Sequence, residues 1–274
     1  MDFEASTLLE GMLLNESAEP TDLPISLLKS ITRDFSDDLR IGSGGFGVVY
    51  KGLLKNGGIV AVKKLSPLID MDETKYQREV LCLLRVRHKN IVRFLGFCAN
   101  THGKKEPYEG NFVIADVRHR LLCFEYLRNG DLHAYINDAS CRSNWKERYK
   151  IIKGICEGLH YLHENSIVHL DLKPANILLD DNMVPKICDF GLSRWFNEQK
   201  DRVINTSKVQ GTMGYVAPER YDGVITFKSD IYSLGVIFAE LLTGQKGHSP
   251  VDNVRTIYNE TLHGNNFVTL FGYK

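Results

Sequence analysis

The sequence predicts an α+β protein in two lobes: a small antiparallel β lobe with one main helix, then a larger, mostly helical lobe. Three observations predict it. The strand-like runs Val48-Val49-Tyr50, Ile59-Val60-Ala61-Val62 and Leu121 to Leu127 all lie in the first half of the chain. From Asn129-Gly130-Asp131 onward helical patterns dominate, ending in the apolar helix Ile231 to Leu242. The length, 274 residues, fits two lobes with one cleft between them, since a domain takes roughly 100 to 200 residues.

Taken in order, residues 1–34 read as a mixed polar arm until Leu23 to Phe35, which is expected to pack as a short helix on the small lobe. Next come Ile41-Gly42-Ser43-Gly44-Gly45-Phe46-Gly47, glycines that let a backbone approach phosphates where a side chain would block it. Such a spacing also occurs in dinucleotide-binding turns, but those need a strand before and a helix directly after. Here both flanks are strand-like and the turn Lys55-Asn56-Gly57-Gly58 follows, so a hairpin is expected. Lys63 closes the second strand, a place where lysine is ordinarily solvated surface. In Thr74 to Leu84, Tyr76, Val80, Leu83 and Leu84 recur at helical spacing, and Glu79 lies beside that stripe, where it can pair with Lys63. Between Ala99 and Arg120 runs an insertion longer than a tight hairpin needs, read as a tolerated loop. No internal repeat is visible.

The chemistry concentrates in His169-Leu170-Asp171-Leu172-Lys173-Pro174-Ala175-Asn176, followed by Asp189-Phe190-Gly191. Together they supply a base, a cation and two oxygen donors for a metal, as a phosphoryl-transfer site requires. Asp171 would take or orient a substrate hydroxyl proton. Lys173 would offset charge on the moving group, and Asn176 with Asp189 would hold magnesium, which favours hard oxygen ligands. Either motif alone is common by chance, whereas both at this spacing are specific.

With Ala217-Pro218-Glu219 added, the chain resembles a eukaryotic protein kinase from about Phe35 to about Gly244. Segments such as Leu23-Pro24-Ile25-Ser26-Leu27-Leu28, Arg87-His88-Lys89-Asn90-Ile91-Val92, Gly211-Thr212-Met213-Gly214-Tyr215 and Asp230-Ile231-Tyr232-Ser233-Leu234-Gly235 look like those of plant receptor-like and receptor-like cytoplasmic kinases. The resemblance implies a kinase domain over 35–274, with a small lobe 35–124, a hinge 125–128 and a large lobe 129–274. It implies catalytic roles for Lys63, Glu79, Asp171 and Lys173, and metal binding at Asn176 and Asp189. Nucleotide binding would fall to Ile41, Gly42, Ser43, Gly44, Gly45, Phe46, Gly47, Val49, Ala61, Lys63, Phe124, Glu125, Leu127 and Leu178. Phe124 would guard the rear of the pocket, Val49 and Ala61 roof it, and Leu178 floor it. The cofactors implied are ATP with Mg2+ or Mn2+. The partners are protein substrates and membrane receptors or co-receptor kinases, in plant signalling or defence.

Composition agrees with a soluble enzyme. Lys plus Arg and Asp plus Glu number 34 each, with no basic stripe, so nucleic acid is not an expected partner. No apolar run is long enough to span a bilayer, and Met1-Asp2-Phe3-Glu4 is neither a leader nor a myristoylation site. A cytoplasmic protein, recruited to the plasma membrane by partners, is expected. Cysteines 82, 98, 123, 141, 156 and 188 stand singly and read as reduced, buried thiols.

Two departures from the family pattern stand out. Leu170 occupies the place where many kinases carry the arginine that pairs with a phosphorylated activation loop, so phosphates on Thr206, Ser207 or Thr212 would lack that receiver. After Leu242 the family's further helices are not recognisable, so the domain is expected to be incomplete. Glu219 would then lack a buried arginine partner, and Ile231, Leu234, Ile237 and Phe238 would be left as apolar surface. Three readings therefore follow: a serine/threonine kinase, which is favoured; a catalytically weak nucleotide-binding scaffold that signals by interaction only; and a truncated, nonfunctional fragment.

Overall fold

The computed structural model describes residues 2–45, 47–66, 73–108, 111–138, 145–196, 203–204 and 209–244. The chain divides into two compact units, Met1–Arg87 with Val92–Tyr126, and His88–Ile91 with Leu127–Lys274. The expected arm therefore belongs to the first unit, and residues 88–91 belong to the second.

The first unit is built on a six-stranded sheet in the order β1-β5-β6-β4-β3-β2. Its strands are β1 Thr21–Asp22, β2 Arg40–Gly44, β3 Gly47–Leu53, β4 Ile59–Leu65, β5 Phe94–Tyr108 and β6 Asn111–Glu125. All neighbours pair antiparallel except β1, which lies parallel to β5 at Gly96 and Phe97. The expected hairpin of β3 and β4 is present, and Gly57 takes the left-handed φ of 85° in its turn. Registers Val49↔Lys63, Lys51↔Ala61 and Ala61↔Phe124 place Val49, Ala61, Lys63 and Phe124 on one face. Val60, Val62 and Cys123 alternate onto the other face and are fully buried.

That second face is covered by α1 (Asp2–Leu14) and α2 (Ile25–Ile31), whose Leu9, Met12, Leu27, Leu28 and Ile31 complete a single apolar cluster with it. Residues 2–14 thus form a helix where a polar arm is expected. Leu8, Leu9, Met12, Leu13 and Leu14 do not make a clean stripe, which hides the helix in the sequence, and Leu8 and Leu14 remain exposed. Tertiary contacts hold it instead. The Arg93 guanidinium donates to the carbonyls of Met12 and Asn15, both at 2.6 Å, satisfying the end of the helix. On α3 (Glu73–Leu83), Tyr76, Val80 and Leu83 are buried as the spacing predicts, whereas Leu84 lies past the helix end and is exposed.

The insertion is a β ribbon rather than a loop. Pairs run unbroken from Ala99↔Arg120 to Tyr108↔Asn111, beyond the stretch of β6 that β4 reaches. At its root Arg120 is buried, donating to both carboxylate oxygens of Glu73 at 3.0 to 3.2 Å and to the Asn100 carbonyl.

The second unit contains α4 (Leu132–Asn137), α5 (Trp145–Glu164) and α6 (Phe227–Thr243). Short pairs join β7 (Ile167–Val168) to β10 (Arg194–Trp195), β8 (Ile177–Leu179) to β9 (Pro185–Ile187), and β11 (Val203–Ile204) to β12 (Val224–Ile225). On α5, Ile151, Ile155, Leu159 and Leu162 recur at helical spacing and are buried. Thr226 opens α6 through a capping box with Ser229, and Gly244 closes it in the left-handed conformation. Leu234 and Ile237 are buried and Phe238 half-buried, so of the four expected to form bare apolar surface only Ile231 is exposed. Glu219 is half-buried and accepts from Ser229 Oγ at 2.9 Å. Residues 245–274, on which the expectation of missing helices falls, lie outside the described residues.

Cys82, Cys98 and Cys123 are buried free thiols, and burial pushes Cys123 up to about 12, so it stays protonated and inert. Cys141 lies outside the described residues. Among the described residues no helix is long and apolar enough to cross a membrane.

If α1 is part of the core, Leu9→Ala should lower the unfolding free energy by about 2 to 5 kcal/mol, the usual cost of emptying a buried leucine site. Leu8→Ala, on the same helix but half exposed, should stay within about 0.5 kcal/mol. Urea denaturation measures both, and equal effects would place α1 off the core.

Candidate active site

In the first unit, strand alternation brings Lys63 onto the sheet face that α1 and α2 leave uncovered. Its ammonium lies 2.7 Å from Glu79 Oε1, and the residues are 8% and 5% exposed. Glu79 is placed by α3, whose buried stripe turns it toward β4. A cation in so dry a place is oriented as well as neutralised, which a surface lysine would not be. Val49 and Ala61, on the same face, are half-buried, and Phe124 packs against Phe94 with ring centroids 5.4 Å apart.

The glycine-rich segment spans β2, the turn and the start of β3. Gly47 has φ 153°, and a Cβ there would collide with the Lys64 carbonyl, so its glycine is required by the fold. Gly44 and Gly45 differ: among the described residues nothing lies within 4 Å of a Cβ built on either, and neither has a left-handed φ. Their requirement is not packing, which agrees with close approach of an outside group. Ile41, Gly42 and Ser43 lie on β2, with Gly42 paired to Val49 and Ser43 to Val48. Phe46 lies outside the described residues.

Glu125 ends β6. Its amide donates to the Arg93 carbonyl at 3.0 Å, and its carboxylate accepts from the Arg93 amide at 2.8 Å. The strand end is thereby locked to the same arginine that caps α1. Only the Glu125 carbonyl, and not its N–H, is in question for a purine edge. Leu127 belongs to the second unit.

In the second unit the catalytic-type residues come together around one carboxylate. Asp171 is 5% exposed. Its Oδ1 accepts from the Thr212 amide at 3.0 Å and from Thr212 Oγ1 at 2.8 Å. Its Oδ2 accepts from Lys173 Nζ at 2.9 Å and Asn176 Nδ2 at 3.1 Å. Lys173 also donates to Thr212 Oγ1 at 2.8 Å, closing the ring. Asn176 Nδ2 bonds the Asp171 carbonyl as well, at 2.8 Å, which turns its amide oxygen away from this network. Asp189 has φ 65° and is half-buried, and Leu178 on β8 is half-buried too. His169 is fully buried, bonding the Cys188 carbonyl through Nε2 at 2.9 Å and accepting the Asp171 amide at Nδ1 at 3.3 Å. Thr206 and Ser207 lie outside the described residues.

Two residues that hold this loop were not singled out from the sequence for such a role. Asp230, fully buried on the first turn of α6, accepts the amides of His169 at 2.7 Å and Leu170 at 2.8 Å. His163 Nε2 lies 3.1 Å from the same carboxylate. Arg220 donates to the carbonyls of Leu170 and Gln210. The available signal for Asp230 is a carboxylate directly before the uncharged, largely apolar run Ile231 to Ala239. Arg220 offered none.

A family model described as the protein kinase domain matches residues 35–269, extending past Gly244, where the recognised motifs end. The chain belongs to the protein kinase family. Among curated proteins of Arabidopsis thaliana, Cysteine-rich receptor-like protein kinase 44 is 39% identical over 240 residues, 85% of this chain and 59% of its own length. Cysteine-rich receptor-like protein kinase 7 is 40% identical over 258 residues, 92% of this chain and 35% of its own. Receptor-like serine/threonine-protein kinase SD1-7 is 39% identical over 240 residues, 84% of this chain and 26% of its own. The chain thus spans from about a quarter to about three fifths of these relatives' lengths.

A protein kinase domain uses ATP and a divalent metal ion. The donor set of the second unit fits such an ion. Asn176 Oδ1 and the Asp189 carboxylate are hard oxygens, and two protein donors completed by phosphate oxygens and water suit a small octahedral cation better than an all-protein cage would. Among the described residues no group of three or more His, Cys, Asp or Glu could hold a metal by itself.

The Lys63–Glu79 pair carries a test independent of activity. Glu79→Leu leaves a buried ammonium without its carboxylate and should destabilise the protein by about 3 to 5 kcal/mol, whereas Lys63→Met with Glu79→Leu should recover most of that loss. Urea denaturation of the three forms decides it, and a double variant no better than the single would mean the pair is not desolvated.

Proposed function

We propose that this chain is an ATP-dependent protein serine/threonine kinase of the plant receptor-like class, transferring the γ-phosphoryl group of ATP to protein hydroxyls in plant signalling or defence. The observation that carries the reading is the Asp171 carboxylate, oriented by Thr212, Lys173 and Asn176, each within hydrogen-bond distance of it. Phosphoryl transfer asks mainly for positioning and charge neutralisation, and that cluster supplies both. The serine/threonine assignment rests on Lys173 and Thr212 together with the names of the relatives.

In this mechanism the incoming hydroxyl takes the place of one of the four donors on the Asp171 carboxylate and gives up its proton there as its oxygen bonds to the γ-phosphorus, while the bond from that phosphorus to the β,γ-bridging oxygen breaks and ADP leaves with the electron pair. Lys173, 2.9 Å from Asp171, offsets negative charge on the transferred group. In the first unit Lys63, held by Glu79, would offset charge on the nucleotide phosphates, and the glycine-rich backbone on either side of Phe46 would approach them. Val49, Ala61 and Phe124 would offer the purine apolar contacts and the Glu125 carbonyl an acceptor for its edge; from the second unit, Leu178 and the Leu127 backbone are the proposed contributions. Asn176 and Asp189 would hold Mg2+, or Mn2+, which when bound neutralises phosphate charge. Protein substrates are the acceptors. Membrane receptors or co-receptor kinases are the proposed partners, and recruitment by them from the cytoplasm to the plasma membrane is the proposed setting.

Purified protein incubated with ATP, Mg2+ and a generic acceptor such as myelin basic protein should phosphorylate it. Asp171→Asn should reduce the rate by two or more orders of magnitude, because general base help alone is worth about 10² to 10⁴. Full activity in that variant would remove Asp171 from the reaction. Asp189→Asn should fold normally yet lose the rise in melting temperature that ATP with Mg2+ gives the parent protein. An equal rise in both proteins would mean Asp189 does not bind the metal.

A further inference from the structure

Leu170 precedes the proposed base and cannot pair with a phosphate, which raises the question of what holds that peptide in place. Its own conformation does not. Leu170 has φ 68°, a left-handed value that costs a branched side chain free energy and persists only when surrounding bonds enforce it. The N–H side of the residue is held by Asp230 Oδ1 at 2.8 Å. The C=O side is held by Arg220 Nη1 at 2.7 Å. That carbonyl belongs to the same peptide plane as the Asp171 amide, which donates to His169 Nδ1. Fixing the carbonyl therefore fixes the direction in which Asp171 leaves the backbone.

The second half of the guanidinium reaches a different stretch of chain. Arg220 Nη2 donates to the Gln210 carbonyl at 2.6 Å. Gln210 lies two residues before Thr212, whose amide and hydroxyl both donate to Asp171 Oδ1. One planar side chain thus ties together the two backbone segments that orient the base. Gly211 suits this crowded place: it has φ 134°, which side chains rarely adopt, and a Cβ there would come within 3.0 Å of Val216 Cγ2 and 3.3 Å of Arg220 Nη1. Arg220 itself is 7% exposed, with Asp230, Asp171 and Glu219 nearby to balance its charge.

We propose that Arg220 is a positioning residue for Asp171, bridging the catalytic loop to the activation segment through two backbone carbonyls and so assembling the base without a phosphate on that segment. The bridge spans 50 residues on one side and 10 on the other, so it forms only in the folded domain. Lysine cannot replace it, because a single ammonium does not present two parallel donors in a fixed plane. The role in catalysis rests on the kinase reading above; the bridge itself does not.

The test uses the full chain with Arg220→Lys and Arg220→Met. First, phosphatase-treated parent protein should retain its kcat. Second, kcat should fall about tenfold in Arg220→Lys and about a hundredfold in Arg220→Met, the scale of a slightly misplaced base, while KM for ATP is unchanged. Third, hydrogen exchange should show faster exchange at the Asp171 and Thr212 amides in both variants, with α5 and α6 still protected. If Arg220→Met fails to fold, Arg220→Lys alone decides the second and third measurements. An inert parent protein whose variants still lose protection at Asp171 and Thr212 would sink the kinase reading and keep the bridge. An active parent with unchanged kcat and unchanged protection in the variants would overturn the bridge. So would loss of activity on phosphatase treatment, or a rise in KM for ATP matching the fall in kcat.

Discussion

The second unit depends on one buried carboxylate. Asp230 has no exposed surface, and a charge in that position is tolerable only when several donors converge on it. The donors it collects are the amides of His169 and Leu170, with His163 beside them. These bonds reach across about sixty residues of sequence, and they convert the N-terminal turn of α6 into a rigid support for the loop that carries Asp171. The helix supplies rigidity through its own burial: Leu234, Val236, Ile237 and Leu241 are all at most 8% exposed. Packing of α6 is thus what positions the base, although no residue of α6 belongs to the proposed reaction.

In the first unit the equivalent constraint is the two-residue period of the sheet. One register sets Val60, Val62 and Cys123 into the core and, by the same alternation, Val49, Ala61, Lys63 and Phe124 onto the opposite face. A slip by one residue would bury Lys63 among leucines. Arg93 extends the constraint beyond the sheet, because its side chain closes α1 while its backbone grips Glu125 by two bonds. The amino-terminal helix and the end of β6 therefore share an anchor.

What could be read from the sequence follows the distance over which each feature is specified. The Gly-rich hairpin, the helix carrying Glu79 and the cluster of Asp171, Lys173 and Asn176 are local patterns, and side chains a few residues apart largely determine them. The family was legible for the same reason, since its motifs are short and ordered. The helix at residues 2–14 was not, because its apolar residues do not form one stripe and its stability comes from Arg93 and the sheet. The ribbon of β5 and β6 looks like a loop in the sequence because its alternation is interrupted by Gly103, Lys104, Lys105 and Pro107. Its pairing is anchored instead at Arg120, by Glu73 from another element. Asp230 and Arg220 were missed because both act on backbone atoms, and a carbonyl or amide has no residue identity that a sequence pattern could display.

Leu170 by itself suggests the loss of a device for ordering the loop. In the fold that residue is held on both sides, its N–H by a carboxylate on α6 and its C=O by the guanidinium of Arg220, directly after Ala217-Pro218-Glu219. Backbone carbonyls accept a guanidinium as a phosphate does, though more weakly, because they carry no net charge. They also hold it permanently, because a carbonyl cannot be removed by a phosphatase. A phosphate receiver makes assembly conditional on modification; a carbonyl receiver makes it conditional only on folding. On the proposed reading Thr212, bonded to both Asp171 and Lys173, completes that arrangement through a hydroxyl and an amide rather than through an added charge.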